Sequence, residues 1–162
     1  MAPRVNSKRS RNQNGRGVEF PPAESLGFLV RNANRAFERL LDKRIAPYGV
    51  TRGQWYFLRV LWEEDGLSQR ELSERVGMME PTTVIALRGM ERSGLIRRSR
   101  SANDRRVTHV WLTPKGRRLR NPLLQLAREV TEQGAEGIGR RDLVAFGRTI
   151  RRMTENLDRI EP

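Results

Sequence analysis

A series of helix start and stop signals in the middle of the chain most constrains its fold. Capping boxes begin at Thr51 and Ser68, where a hydroxyl and a Gln or Glu side chain three residues later satisfy each other's backbone N–H. Gly77 and Gly94 are stop signals, because glycine accepts the left-handed conformation that ends many helices. Pro81 stands at the first position of a further helix. The pattern predicts three short helices, the last two joined by a tight turn.

A short hairpin is predicted to follow these helices. Residues 95–101 and 107–112 have the composition of strands, and Ala102-Asn103-Asp104 between them is a turn sequence. Thr113-Pro114 then begins a long helix, which Pro122 is expected to kink near its start. A helix-turn-helix followed by a two-stranded wing is the expected arrangement.

Long amphipathic helices flank this lobe on both sides. The first runs from Glu24 to about Ala46, with apolar residues at alternating steps of four and three. The last helix carries an apolar stripe with the same spacing, typical of a coiled-coil seam. Such a stripe packs on its own domain or on a second chain, and its terminal position favours a homodimer interface. The stripe comprises Leu143, Phe146, Ile150, Met153 and Leu157.

The net charge of +13 is concentrated in two segments. Residues 87–120 hold eleven basic and two acidic side chains, residues 1–23 hold five and one, and the remaining segments are balanced. A local excess of this kind indicates a polyanionic partner. Anionic membranes also attract basic segments, but residues 87–120 lack the broad apolar helical face of a membrane-bound helix. Nucleic acid is therefore the expected partner, and residues 1–23 are predicted to form a disordered basic arm.

Several classes of function are excluded by what the sequence lacks. There is no Cys and only one His, and no phosphate-binding glycine motif or membrane-spanning apolar run. We expect no catalytic residues, no metal and no cofactor, and a cytoplasmic protein associated with the nucleoid through DNA. His109, on the second predicted strand, is interpreted as structural.

Three motifs lie around the predicted hairpin, namely Gly94-Leu95-Ile96-Arg97-Arg98, Asp104-Arg105-Arg106 and Leu112-Thr113-Pro114-Lys115-Gly116. With the stretches 49–55 and 72–77 upstream, they resemble the MarR family of bacterial transcription regulators over about residues 25–160. The resemblance implies a winged helix-turn-helix homodimer that binds pseudo-palindromic operator DNA and is commonly released by a small molecule. Ile85 and Ala86 depart from it, since many members have a basic residue there. We therefore expect the wing and the shape of the DNA to carry more of the sequence discrimination.

The predicted fold class is mainly α with a small two-stranded β-wing. The predicted organisation is a basic arm (1–23) and a single domain (24–162). Within that domain, a winged helix-turn-helix lobe (51–113) lies between dimerisation helices (24–47 and 114–162).

Candidate DNA contacts lie on the predicted recognition helix and the wing. Recognition helices contact base edges and phosphates through their N-terminal residues, which are Thr82 and Thr83 here. The alternative is that these threonines only begin the helix. Basic side chains that suit phosphates or a narrow minor groove are the second group, with solvated surface as their alternative. These are Arg88, Arg92, Arg98, Arg105 and Arg106, with Asp104 expected to orient a neighbouring arginine.

A ligand site is predicted from the family resemblance between the dimerisation helices and the DNA-binding lobe. Aromatic walls with an arginine suit a small aromatic carboxylate. The alternative is that Trp55 and Trp62 are core residues. The candidates are Asn34, Arg35, Trp55, Tyr56 and Arg59.

The sequence thus predicts a ligand-responsive homodimeric repressor that binds double-stranded DNA. Two alternatives remain open, which are an architectural DNA-binding protein with little sequence preference and a winged-helix module that docks onto another protein.

Overall fold

A computed structural model describes residues 20–160 of the chain. The chain divides after Asn34 into two compact units. Most of the arm predicted for residues 1–23 lies outside the described residues. The described part up to Asn34 consists of an exposed turn at 22–24 and the first residues of helix α1, Leu26–Ile45.

The helices and strands follow the predicted order. Both capping boxes are present, and the Thr51 hydroxyl accepts from Gln54 N at 3.3 Å while Gln54 Oε1 accepts from Thr51 N at 3.0 Å. Gly77 and Gly94 have φ values of 69° and 68°, as their role as helix stops requires. The elements after α1 are α2 (Arg52–Glu63), α3 (Gln69–Val76), α4 (Glu80–Arg92), β1 (Ile96–Arg100), β2 (Thr108–Leu112), α5 (Pro114–Arg118), α6 (Arg120–Gly134) and α7 (Arg140–Asp158).

The two strands form an antiparallel hairpin, with the register running from Ile96 opposite Leu112 to Arg100 opposite Thr108. The loop between α2 and α3 lies along the other edge of β2, where Val110 N donates to the Leu67 carbonyl oxygen at 2.8 Å. The hairpin is thereby fixed to the helical part of the lobe at its base. The predicted fold class, mainly helical with a two-stranded wing, is confirmed.

Helix α2 is the centre of the hydrophobic core, as its nearly continuous apolar sequence predicts. It buries four large side chains, and α3, α4 and the two strands pack their apolar residues into the same cluster. The four are Trp55, Phe57, Leu58 and Leu61.

The helix after the hairpin is interrupted near Pro122, where a kink was predicted. The chain forms the short α5 and then α6, with only Leu119 between them, and Leu119 keeps helical angles of φ −72° and ψ −14°. Proline has no N–H to donate to the carbonyl oxygen four residues earlier, and its ring collides with that carbonyl. For Pro122 that carbonyl belongs to Arg118, which is the last residue of α5. The proline thus breaks the helical hydrogen bonding at this point while the chain continues in helical conformation.

Helix α7 is amphipathic and buries none of its 19 residues. Phe146 and Leu157 on its apolar stripe are 60% and 63% exposed. Within residues 20–160, no helix has the length and apolar character needed to cross a membrane.

Candidate nucleic-acid interface

Helix α4 has one buried and one exposed face. Thr83, Leu87 and Met90 face the core at steps of four and three, and Val84 beside Thr83 is half-buried. The opposite face is open to solvent over the length of the helix. The exposed residues of α4 are Glu80, Pro81, Thr82, Ile85, Arg88 and Arg92.

The position of Thr83 corrects one predicted DNA contact. Its side chain is 1% exposed, and its hydroxyl has no hydrogen-bond partner among the residues the structure describes. It therefore cannot reach a ligand at the helix surface. The signal was present in the sequence, since Thr83 has the helical spacing of Leu87 and Met90. Thr82 is exposed and keeps its place as a candidate.

Arg98 connects β1 to α4. Its guanidinium donates to Glu91 on α4, at 2.6 Å from Nη2 and 3.0 Å from Nε, and to Gln69 on α3 at 3.4 Å. Hydrogen bonds from Arg98 hold the pKa of Glu91 below its ordinary value. Arg98, a predicted DNA contact, is thus engaged within the lobe and joins the hairpin to α4. Its neighbour Arg97 lies over the Trp111 ring instead, 5.4 Å from the ring centre.

The tip of the hairpin presents two exposed arginines, Arg105 and Arg106. Asp104 Oδ1 accepts from Arg106 N at 2.9 Å and from its Nε at 3.2 Å. These bonds lower the pKa of Asp104, so the carboxylate stays charged and holds the backbone of the turn. The Arg106 side chain remains 92% exposed, so its guanidinium is still accessible to a ligand.

Asp65, in the loop after α2, is a structural residue of the lobe. Its Oδ1 accepts from Leu112 N at 2.8 Å and Gly66 N at 3.0 Å, and its Oδ2 accepts from Arg117 at 2.8 Å. One carboxylate thus joins the α2–α3 loop, the end of the wing and α5. No local sequence signal identifies these partners, because two of them lie about fifty residues away.

The residues predicted to bind a ligand differ in their exposure and in their bonding partners. Trp55 is 5% exposed and belongs to the core, with Trp62 edge-on to it at 5.8 Å. The Tyr56 hydroxyl donates to Glu38 at 3.1 Å, and burial together with this bond raises the pKa of Tyr56. The Arg59 guanidinium lies over the Trp55 ring, 5.6 Å from its centre. Asn34 and Arg35 are exposed on α1.

Among residues 20–160 no cluster of three or more acidic or histidine side chains has the geometry of a metal site. His109 stands opposite Ser99 in the hairpin and forms a β-bridge with Ser68 on the other side. It is part of the sheet framework.

Comparison with known proteins identifies the family. The MarR family model matches residues 50–108. The HTH-type transcriptional regulator TtmR of Methylorubrum extorquens is 36% identical over 111 residues, which are 68% of this chain and 57% of that protein. The chain therefore spans just over half the length of this curated relative.

Solved structures match over nearly their whole length. A MarR transcriptional regulator from Methanosarcina mazei is 30% identical, with a TM-score of 0.78 over 83% of this chain and 97% of that one. A probable transcriptional regulator from Pseudomonas aeruginosa is 27% identical, with a TM-score of 0.74 over 81% and 98%. These relatives are described as transcriptional regulators and not as enzymes. On this identity, coverage and shared winged-helix geometry, the chain belongs to the MarR family.

Proposed function

We propose that the chain is a homodimeric, DNA-binding transcription regulator that places α4 in the major groove and its hairpin in the adjacent minor groove. The observation that carries the proposal is the placement of exposed arginines on two elements joined by a side-chain contact. Arg88 and Arg92 lie on the open face of α4, and Arg105 and Arg106 lie at the hairpin tip. Arg98 fixes the two elements to each other through Glu91.

Helix α4 suits the major groove in size and chemistry. Its 13 residues extend about 20 Å at 1.5 Å per residue, and a groove about 12 Å wide admits one helix. Thr82 at the exposed N-terminal end can donate to a phosphate or a base edge. Arg88 and Arg92 lie further along the same face and provide cationic contacts to the backbone or to guanine.

The hairpin tip suits a narrow minor groove. A·T-rich DNA has the narrow groove and strong negative potential that attract arginine side chains. Asp104 holds the turn through Arg106, and the exposed guanidinium group of Arg106 is accessible to the groove. The wing therefore favours A·T-rich flanks of the site.

A second copy of the chain explains the exposed apolar stripe on α7. An isolated 19-residue helix is only marginally stable in water and gains most of its stability by burying an apolar face. Two copies related by a twofold axis would present two recognition helices one DNA turn apart, about 34 Å, to a pseudo-palindromic site. The dimer would act on DNA in the cytoplasm.

We further propose that a small aromatic carboxylate releases the protein from its DNA site. The protein would then act as a repressor that the ligand inactivates. Arg59 is the exposed cation that supports it, because it stands beside the Trp55 ring and can bind a carboxylate with two parallel hydrogen bonds. A coupling of about 1–3 kcal/mol between ligand and DNA is typical of such regulators. Benzoate added to the protein–DNA complex should raise the Kd for DNA in the wild type but not in Arg59→Ala.

The wing arginines provide the direct test. A duplex selected by the full-length protein from a random pool is titrated with the wild type and with the double variant Arg105→Ala, Arg106→Ala. We expect weaker binding and a salt dependence reduced by about one unit for each arginine that no longer neutralises a phosphate. The matched control is Arg140→Ala with Arg141→Ala, which removes the same charge from an exposed arginine pair on α7.

The outcomes separate the alternatives. Equal losses in the two double variants would mean that net charge alone drives binding, as in an architectural protein. Selection of no duplex, with no binding by the wild type, would favour the protein-docking module and refute the proposal.

The dimer has its own test in Phe146→Glu, which places a charge in the apolar stripe. We expect a monomer by light scattering, whereas Arg148→Glu, on the opposite side of α7 by helical spacing, should remain a dimer. A Phe146→Glu protein that stays dimeric would contradict the proposed interface.

A further inference from the structure

Two exposed large hydrophobic side chains stand out in the DNA-binding lobe, residues 51–113, all of which the structure describes. They are Met79, the N-cap of α4, at 78% exposure and Ile85, on its open face, at 70%. The other exposed large hydrophobic residues of the described chain lie at or before Tyr48 or from Ile138 onward. Apolar exposure in this lobe is thus confined to the helix proposed to enter the major groove.

Ile85 lies among three arginines and one glutamate. It follows Thr82 by three positions and precedes Arg88 by three, so it lies between them on the open face. It also forms one wall of a shallow depression between α4 and β1. The other walls are Arg88, Glu91, Arg92 and Arg98.

This combination limits the chemistry of the partner. A docking protein would require a contiguous apolar patch of several hundred Å², whereas Ile85 is a single apolar side chain among arginines. A polyanion that carries small apolar groups matches the surface better. The major groove of DNA is such a ligand, because the 5-methyl group of thymine is the apolar feature of its base edges.

We propose that Ile85 is a specificity-determining residue that packs against the 5-methyl group of a thymine in each half-site. The inference rests on the proposed DNA-binding function and adds to it the base that the centre of the helix selects. This methyl contact adds to the contribution of the wing and of DNA shape.

A cycle of changes on protein and DNA tests the contact. A duplex selected by the full-length wild type from a random pool is resynthesised with deoxyuridine for each symmetry-related pair of thymines in turn, which removes only the methyl groups. At one pair of thymines, we expect this replacement to weaken wild-type binding by about fourfold for each half-site. This factor corresponds to the free energy gained by burying one methyl group. Ile85→Ala should bind the thymine duplex more weakly, and at that same pair uracil should cause no further loss.

Ile138→Ala is the matched control, because it makes the same substitution at a side chain 48% exposed in the α6–α7 connection. The Ile138→Ala protein should lose as much affinity as the wild type when uracil replaces thymine. Circular dichroism should show unchanged helix content in Ile85→Ala, since alanine favours helix more than isoleucine does.

Each outcome decides a different claim. If the losses of binding free energy from Ile85→Ala and from uracil are additive at every pair of thymines, Ile85 does not contact a thymine methyl group. That result would overturn the methyl contact while leaving DNA binding intact. Unchanged affinity in Ile85→Ala would overturn it as well. If no sequence is enriched from the pool, the sequence-specific function fails and the inference fails with it.

Discussion

The buried hydroxyl of Thr83 leads to a prediction opposite to that for an ordinary contact residue. Thr83 packs beside Leu87 and Met90 with 1% exposure, and none of the described residues forms a hydrogen bond with its Oγ1. A buried polar group without a partner costs about 1–3 kcal/mol of stability. Thr83→Val has nearly the same shape and helix propensity but replaces the hydroxyl with a methyl group.

We expect Thr83→Val to raise the free energy of unfolding by about 1–2 kcal/mol. For a chain of this length each kcal/mol corresponds to about 2–4 °C, so the Tm should rise by about 2–8 °C. Thermal unfolding followed by circular dichroism provides the measurement, at equal protein concentration because the proposed dimer would make Tm concentration-dependent. Affinity for DNA should not change.

Thr82→Val is the matched control, since it makes the same substitution one residue earlier on the exposed face. It should leave Tm within about 2 °C, because exposed substitutions usually stay within about 0.5 kcal/mol. It should weaken DNA binding because the Thr82 hydroxyl is no longer present. A Thr83→Val protein that is less stable, or that binds DNA tenfold more weakly, would show that the hydroxyl is in use and would refute the assignment of Thr83 to the core.

Three further predictions concern the framework of the wing. Gly116→Ala should destabilise the fold by about 2 kcal/mol or more in denaturant titration, because the new Cβ would lie 2.2 Å from the Leu95 carbonyl oxygen. A change near zero would contradict this close packing of Gly116 on Leu95. Asp65→Ala should cost about 1–3 kcal/mol because it leaves Leu112 N without a partner, whereas Gly66 N keeps its hydrogen bond to the Val110 carbonyl oxygen. A loss below about 0.5 kcal/mol, on the order of a surface substitution, would argue against the bond between Asp65 and Leu112. The pKa of Glu91 is lowered from its ordinary 4.5 by Arg98, so this carboxylate adds stability above pH 4.5 that is lost as the pH falls through its folded-state pKa. Wild-type stability should therefore fall more steeply than that of Glu91→Gln below pH 4.5, and parallel pH profiles would count against the contact.

Local signals in the sequence predicted most of the fold. The capping boxes at Thr51 and Ser68 and the stops at Gly77 and Gly94 act within one helical turn, so their effect is visible without tertiary information. Pro122 likewise interrupts the helix after the hairpin by a local effect, because it lacks the N–H that would bond to the Arg118 carbonyl oxygen.

The details of the interface were less predictable, because they depend on contacts distant in sequence. Asp65 bonds to Leu112, and Arg98 bonds to Glu91 and Gln69, and no local spacing identifies such partners. A sequence also cannot tell an exposed arginine from one engaged within the lobe. The prediction for Thr83 differs in kind, because its place near the start of α4 favours a DNA contact whereas its helical spacing with Leu87 and Met90 already places it in the core.

Recognition of a particular DNA sequence underlies the whole proposal and can be measured as a specificity ratio. Fluorescence anisotropy at physiological salt would compare the selected duplex with a scrambled duplex of equal length and composition. We predict a preference of at least ~10³ for the selected duplex. Equal affinity for the two duplexes, or binding to neither, would contradict sequence-specific recognition by this chain.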